Sequence, residues 1–185
     1  HHHVINVTVS GSWWSGAPDE RGIPHTMMAD GAPNGYTILS FDGHKYTVDF
    51  KAASKPADYQ MRIHAPEVVA TNEAAKTDIY VNVFNGSERS KVEMRLGASG
   101  PWTLMERKVM NDPDFVAIAA AELANKEKTW PDLPAPKAST HLWHAMLPSD
   151  PLPGTHLLQV RTVDMHGRTY HGQRVVRIEA APSKP

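Results

Sequence analysis

With 185 residues, 41% of them hydrophobic, the chain can bury one good core, or one core with a smaller unit appended. A formal net charge of -1, from 19 basic and 20 acidic side chains, excludes the basic stripe a nucleic-acid binder needs, so no nucleic-acid partner is expected. No apolar run is long enough for a transmembrane segment, and the absence of cysteine excludes disulfides and thiolate metal sites. The chain opens at His1 without an initiating Met, as expected of a piece of a longer or matured protein, or of a tag remnant.

The 15 Pro and 12 Gly fall as punctuation between short Val/Ile/Tyr/Thr-rich runs, which predicts an all-β protein rather than a bundle or a βαβ array. Val4–Ser10 alternates, with Ile5, Val7 and Val9 on one side, and predicts an N-terminal strand. Gly11–Gly35 is an irregular stretch rich in Gly, Pro, Asp and Ser. A β-hairpin follows: Tyr36–Phe41, a turn at Asp42-Gly43, and His44–Phe50, in which Tyr46, Val48 and Phe50 share a face.

Beyond a connection at Ser54–Asp58, strands are predicted over Tyr59–His64, Asp78–Phe84, Lys91–Leu96, Trp102–Lys108, His141–Leu147, Thr155–Asp164 and Gly172–Glu179. A helix near 112–127 interrupts them. Asn111 or Asp112 can cap it and Pro113 suits its first turn, with Phe115, Ile118, Ala119, Glu122 and Leu123 as a modest apolar stripe. Trp130–Lys137 is Pro-rich connection. Seven short strands with one inserted helix have the count and spacing of an immunoglobulin-like β-sandwich.

Eleven histidines raise the question of a metal site. His1, His2 and His3 are either a tag remnant or a native His-rich start. His141 and His144 are three apart in a strand and point to opposite faces, which is poor geometry for chelating one ion. His166 and His171 lie at a turn whose only nearby carboxylate, Asp164, is expected to hold the turn through its side chain. A metalloenzyme built on histidines requires at least three converging ligands. No Gly-x-Ser-x-Gly motif and no phosphate-binding Gly-rich loop is present.

The Gly11–Gly35 stretch is more interesting. Trp13 and Trp14 sit beside Asp19, Glu20, Arg21 and Asp30. The bland reading of the charges is an ion-paired loop, with Arg21 joined to Asp19 or Asp30. Exposed tryptophans mark protein interfaces or sugar-stacking platforms.

These blocks carry a resemblance. Gly-Ser-Trp-Trp-Ser-Gly at 11–16, Asp19-Glu20-Arg21-Gly22-Ile23-Pro24 and Asp30-Gly31-Ala32-Pro33-Asn34-Gly35-Tyr36 together resemble the C-terminal region of bacterial calcineurin-like phosphoesterases. Pro56-Ala57-Asp58-Tyr59-Gln60-Met61 and Val81-Asn82-Val83-Phe84-Asn85-Gly86 fit the same pattern, so the resemblance covers nearly the whole chain.

The resemblance implies an upstream catalytic domain in which Asp, His and Asn side chains hold two divalent metal ions that activate water. The family's ligand motifs (Asp-x-His, Gly-Asp-x-x-Asp, Gly-Asn-His-Asp/Glu and Gly-His-x-His) do not transfer here. Asp42-Gly43-His44 comes nearest and is read as the hairpin turn. No catalytic, cofactor-binding or metal residue is therefore assigned to this chain.

The implied organisation is 1–53 as strand, loop and hairpin bracing the catalytic domain, and 59–181 as the sandwich. The implied function is a non-catalytic accessory domain of a metallophosphoesterase, with the upstream domain as partner and a periplasmic or cell-envelope location. Trp13, Trp14, Asp19, Arg21, Asp30 and Asn34 are the candidate interface, and the fragment alone is expected to be able to self-associate. The alternative is a carbohydrate or cell-envelope binding module using Trp13, Trp14 or Trp143.

Overall fold

The computed structural model describes residues 4–181. The chain folds as two compact units: residues 1–60 with 109–140, and residues 61–108 with 141–185.

The second unit is an all-β sandwich, as expected. Its strands are β3 (Met61–His64), β4 (Val68–Ala70), β5 (Asp78–Val83), β6 (Lys91–Leu96), β7 (Thr103–Leu104), β8 (Glu106–Asn111), β9 (Ala138–Met146), β10 (Gly154–Val163) and β11 (Thr169–Glu179), with 109–111 of β8 and 138–140 of β9 counted in the first unit. β1 (Gly35–Asp42) and β2 (Lys45–Ala52) form a separate hairpin in the first unit. One sheet of the sandwich runs β4-β11-β10-β6-β7 and the other β3-β5-β9-β8.

Alternating apolar residues of both sheets meet in one core. Ile63, Val81, Val83 and Trp143 come from the second sheet, and Val92, Met94, Leu158, Val160, Val176 and Ile178 from the first. That alternation is what lets each strand bury one face and solvate the other. In β6, Val92 and Met94 are fully buried and Lys91 is exposed, while the outward-facing Glu93 is also buried beside Arg161.

Trp102–Lys108 does not form the single strand that its composition predicts. The chain pairs as β7 in one sheet, breaks at Met105, and continues as β8 in the other. Met105 is buried and its N–H donates to the Val92 carbonyl at 2.9 Å, so the chain turns the sandwich corner around an apolar anchor. β4 and the 3-10 turn Thr71–Lys76 were not expected. β4 is three residues long and pairs in parallel with β11, a contact with no local signature.

In the first unit, β1 and β2 pair in the register Asp42↔Lys45, so the two loop residues are Gly43 and His44 rather than Asp42 and Gly43. Gly43 takes φ +57°, the left-handed conformation that a two-residue hairpin loop asks of its first position. Val48, Phe50 and Ala52 bury one face of β2.

The helix α1 (Pro113–Ala124) begins where predicted, with the Asp112 carboxylate accepting from the Phe115 N–H at 2.8 Å, and belongs to the first unit. Phe115 is its buried apolar anchor, while Leu123, expected on the buried stripe, is exposed.

Val4–Ser10 forms no strand. Among the described residues it joins no β-ladder: the Thr8 carbonyl accepts from the Gly11 and Gly35 N–H groups, the Asn34 amide donates to Val9 O, and Ile5 and Val9 are exposed. Alternation gives a strand only where a neighbour completes the ladder.

Candidate functional site

The segment Thr8–Gly16 is a knot of tight turns. The Gly11 N–H donates to Thr8 O (3.0 Å), Trp14 N–H to Ser10 O (3.2 Å) and Ser15 N–H to Ser12 O (3.2 Å). The buried hydroxyls of Ser12 and Ser15 donate to the carbonyls of Met27 and Ser12. Gly11 is required here: a Cβ would stand 1.4 Å from the Thr26 carbonyl oxygen.

Trp13 and Trp14 both take positive φ, +59° and +55°. For bulky L-residues this conformation costs on the order of 1–2 kcal/mol each, and it persists only where surrounding bonds over-determine the turn. The turn leaves Trp13 92% exposed and Trp14 52% exposed.

The same loop is tied to the Pro-rich segment that follows α1. Gly16 N–H donates to Pro131 O (3.0 Å) and Lys137 N–H to Ala29 O (2.9 Å). The buried Glu122 carboxylate receives the Ala17 N–H at 2.9 Å and the Trp130 indole N–H at 3.4 Å. Lys128 pairs with Asp132 and also donates to the Glu122 carbonyl. Between these segments lies an open groove of about 560 Å³ whose lining includes Ser12, Trp13, Asp30, Asp132 and Lys137. A second, more apolar groove of about 410 Å³ runs beside α1, with Val116, Leu123 and Leu133 among its lining.

The residues singled out in the sequence separate into two groups. Trp13 and Asp30 meet at the groove. Asp19 and Arg21 do not join it: they form a closed ring of their own, in which Asp19 accepts from the Arg21 Nε (3.1 Å) and Nη2 (2.9 Å) and from the backbone N–H of Arg21 and Ile23. The Arg21 guanidinium, helped by the Ile23 N–H, holds the Asp19 carboxyl below its usual range. Arg21 thus pairs with Asp19 and not with Asp30, whose carboxylate accepts the Ala32 N–H (3.1 Å). Asn34 donates to Val9 O (2.8 Å) and staples the loop.

Trp143, one of the three expected stacking platforms, is a core residue. It packs so tightly that a Cβ on Gly86 would stand 2.5 Å from its ring. Asp132 and Lys137 carried no signal in the sequence, because the Pro-rich segment reads as mere connection.

The histidines are dispersed among separate partners. His141 Nδ1 lies 2.8 Å from Asn82 Oδ1, and His144 Nε2 lies 2.7 Å from Asp78 Oδ1. His64, Tyr80 and His144 form a row across β3, β5 and β9, with ring centroids 6.1 and 4.9 Å apart. Burial and the nearby Asp78 carboxylate push the Tyr80 phenol up. Among the described residues no group of three His, Asp or Glu side chains is placed to hold a metal ion. His1, His2 and His3 lie outside the described residues. Asp164 holds its turn as expected, accepting from the backbone N–H of His166 (2.8 Å) and Arg168 (2.9 Å) and from the Arg168 guanidinium.

Taken together, the fold comprises an all-β sandwich and a separate unit built from a hairpin, a long loop and one helix. Residues 3–170 match the family model described as the C terminal of calcineurin-like phosphoesterase, and the chain belongs to that family. No curated protein matches the sequence. Among solved structures, CopC from Methylosinus trichosporium OB3b is similar at 10% identity and a TM-score of 0.35, covering 81% of this chain and all of that one. No helix among the described residues is long and apolar enough to cross a membrane.

Proposed function

We propose that this chain is a non-catalytic accessory domain that docks on the metal-dependent phosphoesterase domain of its own protein, through the hairpin β1–β2. The observation that carries the reading is the apolar load on that ribbon. Tyr36, Ile38, Leu39 and Phe41 are all exposed, Phe41 to 73%, on a two-stranded element that offers little burial of its own. Asp19, Arg21 and Asn34 engage their polar groups in hydrogen bonds within the chain, to one another, to Ser54 and to Val9, and leave the apolar ribbon as the docking element. The family match supports an association with a phosphoesterase domain. Two divalent metal ions would then belong to that partner domain, and a periplasmic or cell-envelope location rests on the family resemblance alone. The carbohydrate-module alternative loses Trp143 to the core and keeps Trp13 and Trp14.

The test is the double substitution Leu39→Ser with Phe41→Ser in the complete phosphoesterase. Activity or thermal stability of the catalytic domain should fall several-fold, while the melting of the present domain alone changes within about 0.5 kcal/mol, as for other exposed positions. Unchanged activity and stability of the complete protein would sink the reading. In the isolated chain the same substitutions should abolish any concentration-dependent self-association seen by sedimentation.

A further inference from the structure

We infer that the groove beside Trp13 is a binding site for a neutral carbohydrate, with the Trp13 indole as its stacking platform. Two independent observations meet there. The first is the turn itself: successive left-handed tryptophans, fixed by buried Ser12 and Ser15 hydroxyls and by the close approach of Gly11 to Thr26, hold Trp13 almost wholly in solvent. A conformation that unfavourable, maintained to keep a large apolar ring out of the core, points to something the ring contacts. The second is the groove of about 560 Å³ that the ring lines, within the size range of sites for small organic ligands.

The chemistry of the lining selects the class of ligand. A pyranose ring offers an apolar C–H face and a rim of hydroxyls that both donate and accept. The indole suits the face, and the carboxylates of Asp30 and Asp132 supply acceptors for hydroxyl protons. Lys137 belongs to the same lining, and an ammonium is a donor. The charges are of mixed sign, and Asp132 is already paired with Lys128, so neither an anion nor a strongly cationic ligand is favoured. The groove lining contains none of the hairpin residues proposed to dock on the phosphoesterase domain, so each reading can fail alone.

Titration of the purified chain with cellotetraose, maltotetraose and chitotetraose, followed by tryptophan fluorescence and calorimetry, tests this. At least one sugar should give a saturable change with a dissociation constant of about 1 mM or tighter. Trp13→Ala should weaken it about tenfold or more, Trp13→Phe should retain part of it, and Asp30→Asn should weaken it about threefold or more. Circular dichroism identical to the parent checks that each variant folds. No saturation by any of the three at about 10 mM would overturn the proposal. So would binding that Trp13→Ala leaves untouched, and so would a Trp13 signal that changes only with protein concentration, which would make the groove a contact with a second copy.

Discussion

In the sandwich, Ile79, Val81, Val92, Met94 and Leu158 are completely buried, whereas in the first unit Ile5, Trp13 and Phe41 stand in solvent. The two units are nearly equal in length but differ in how they meet the cost of folding. Among the described residues the sandwich gathers 17 into one core cluster. The first unit buries Met27, Val48, Phe50 and Phe115 and otherwise relies on hydrogen bonds between loops, such as the Glu122 carboxylate to Ala17 and the Ser12 hydroxyl to Met27. Thirteen of the nineteen exposed large hydrophobics among the described residues lie in that unit. Such a distribution concentrates burial in the sandwich and solvent-facing apolar surface in the first unit.

That contrast is open to direct attack. The largest effect should come from Leu158→Ala, at a fully buried position between the two sheets. It should cost about 2–5 kcal/mol in urea denaturation, and a loss below about 1 kcal/mol would mean that the sandwich core is looser than its burial implies.

Next comes Asp164→Asn, which removes a carboxylate that accepts two backbone N–H groups and the Arg168 guanidinium. A loss of about 1–3 kcal/mol at neutral pH is expected. Burial alone would push the Asp164 carboxyl up, but the Arg168 and His166 hydrogen bonds outweigh it and hold the group below its usual range. Its stabilisation is therefore complete above about pH 4, the ordinary carboxylate range, and is lost as pH falls through the lower folded value. Glu93, lowered by Arg161 and then Lys91, works in the same sense. The parent should consequently lose more stability between neutral pH and about pH 2 than the Asp164→Asn variant does, as measured by denaturation at both ends.

The smallest effect belongs to the first unit. Asp112→Ala should cost about 1 kcal/mol by removing the α1 cap, read as reduced helical signal and earlier hydrogen exchange at Phe115.

Legibility in the sequence followed the range of the interactions. The hairpin, β6 and the start of α1 were readable because alternation, turn chemistry and capping act over a few residues. The parallel pairing of β4 with β11 and the corner at Met105 were not, because each depends on a strand distant in sequence. Val4–Ser10 has the alternation of a strand but completes no ladder, so the pattern alone misled. The candidate site divided in the same way. Trp13 and Asp30 stood out in an irregular loop, while Asp132 and Lys137 lie on a Pro-rich segment tied to that loop by the Gly16–Pro131 and Lys137–Ala29 backbone bonds, distant in sequence.

The first unit is assembled from two stretches of chain separated by half of the sandwich, and the Ala17–Glu122 bond alone spans 105 positions. On a ribosome, residues 1–60 emerge and must wait for the helix before that bond or the Gly16–Pro131 bond can close. Non-local closures of this kind slow folding, although each doubling of the loop adds only about 0.6 kcal/mol to its entropic cost. During that interval the polar groups that the loop later pairs with the helix segment, such as the Ala17 and Gly16 N–H groups, have only water as a partner, so this unit closes late in synthesis.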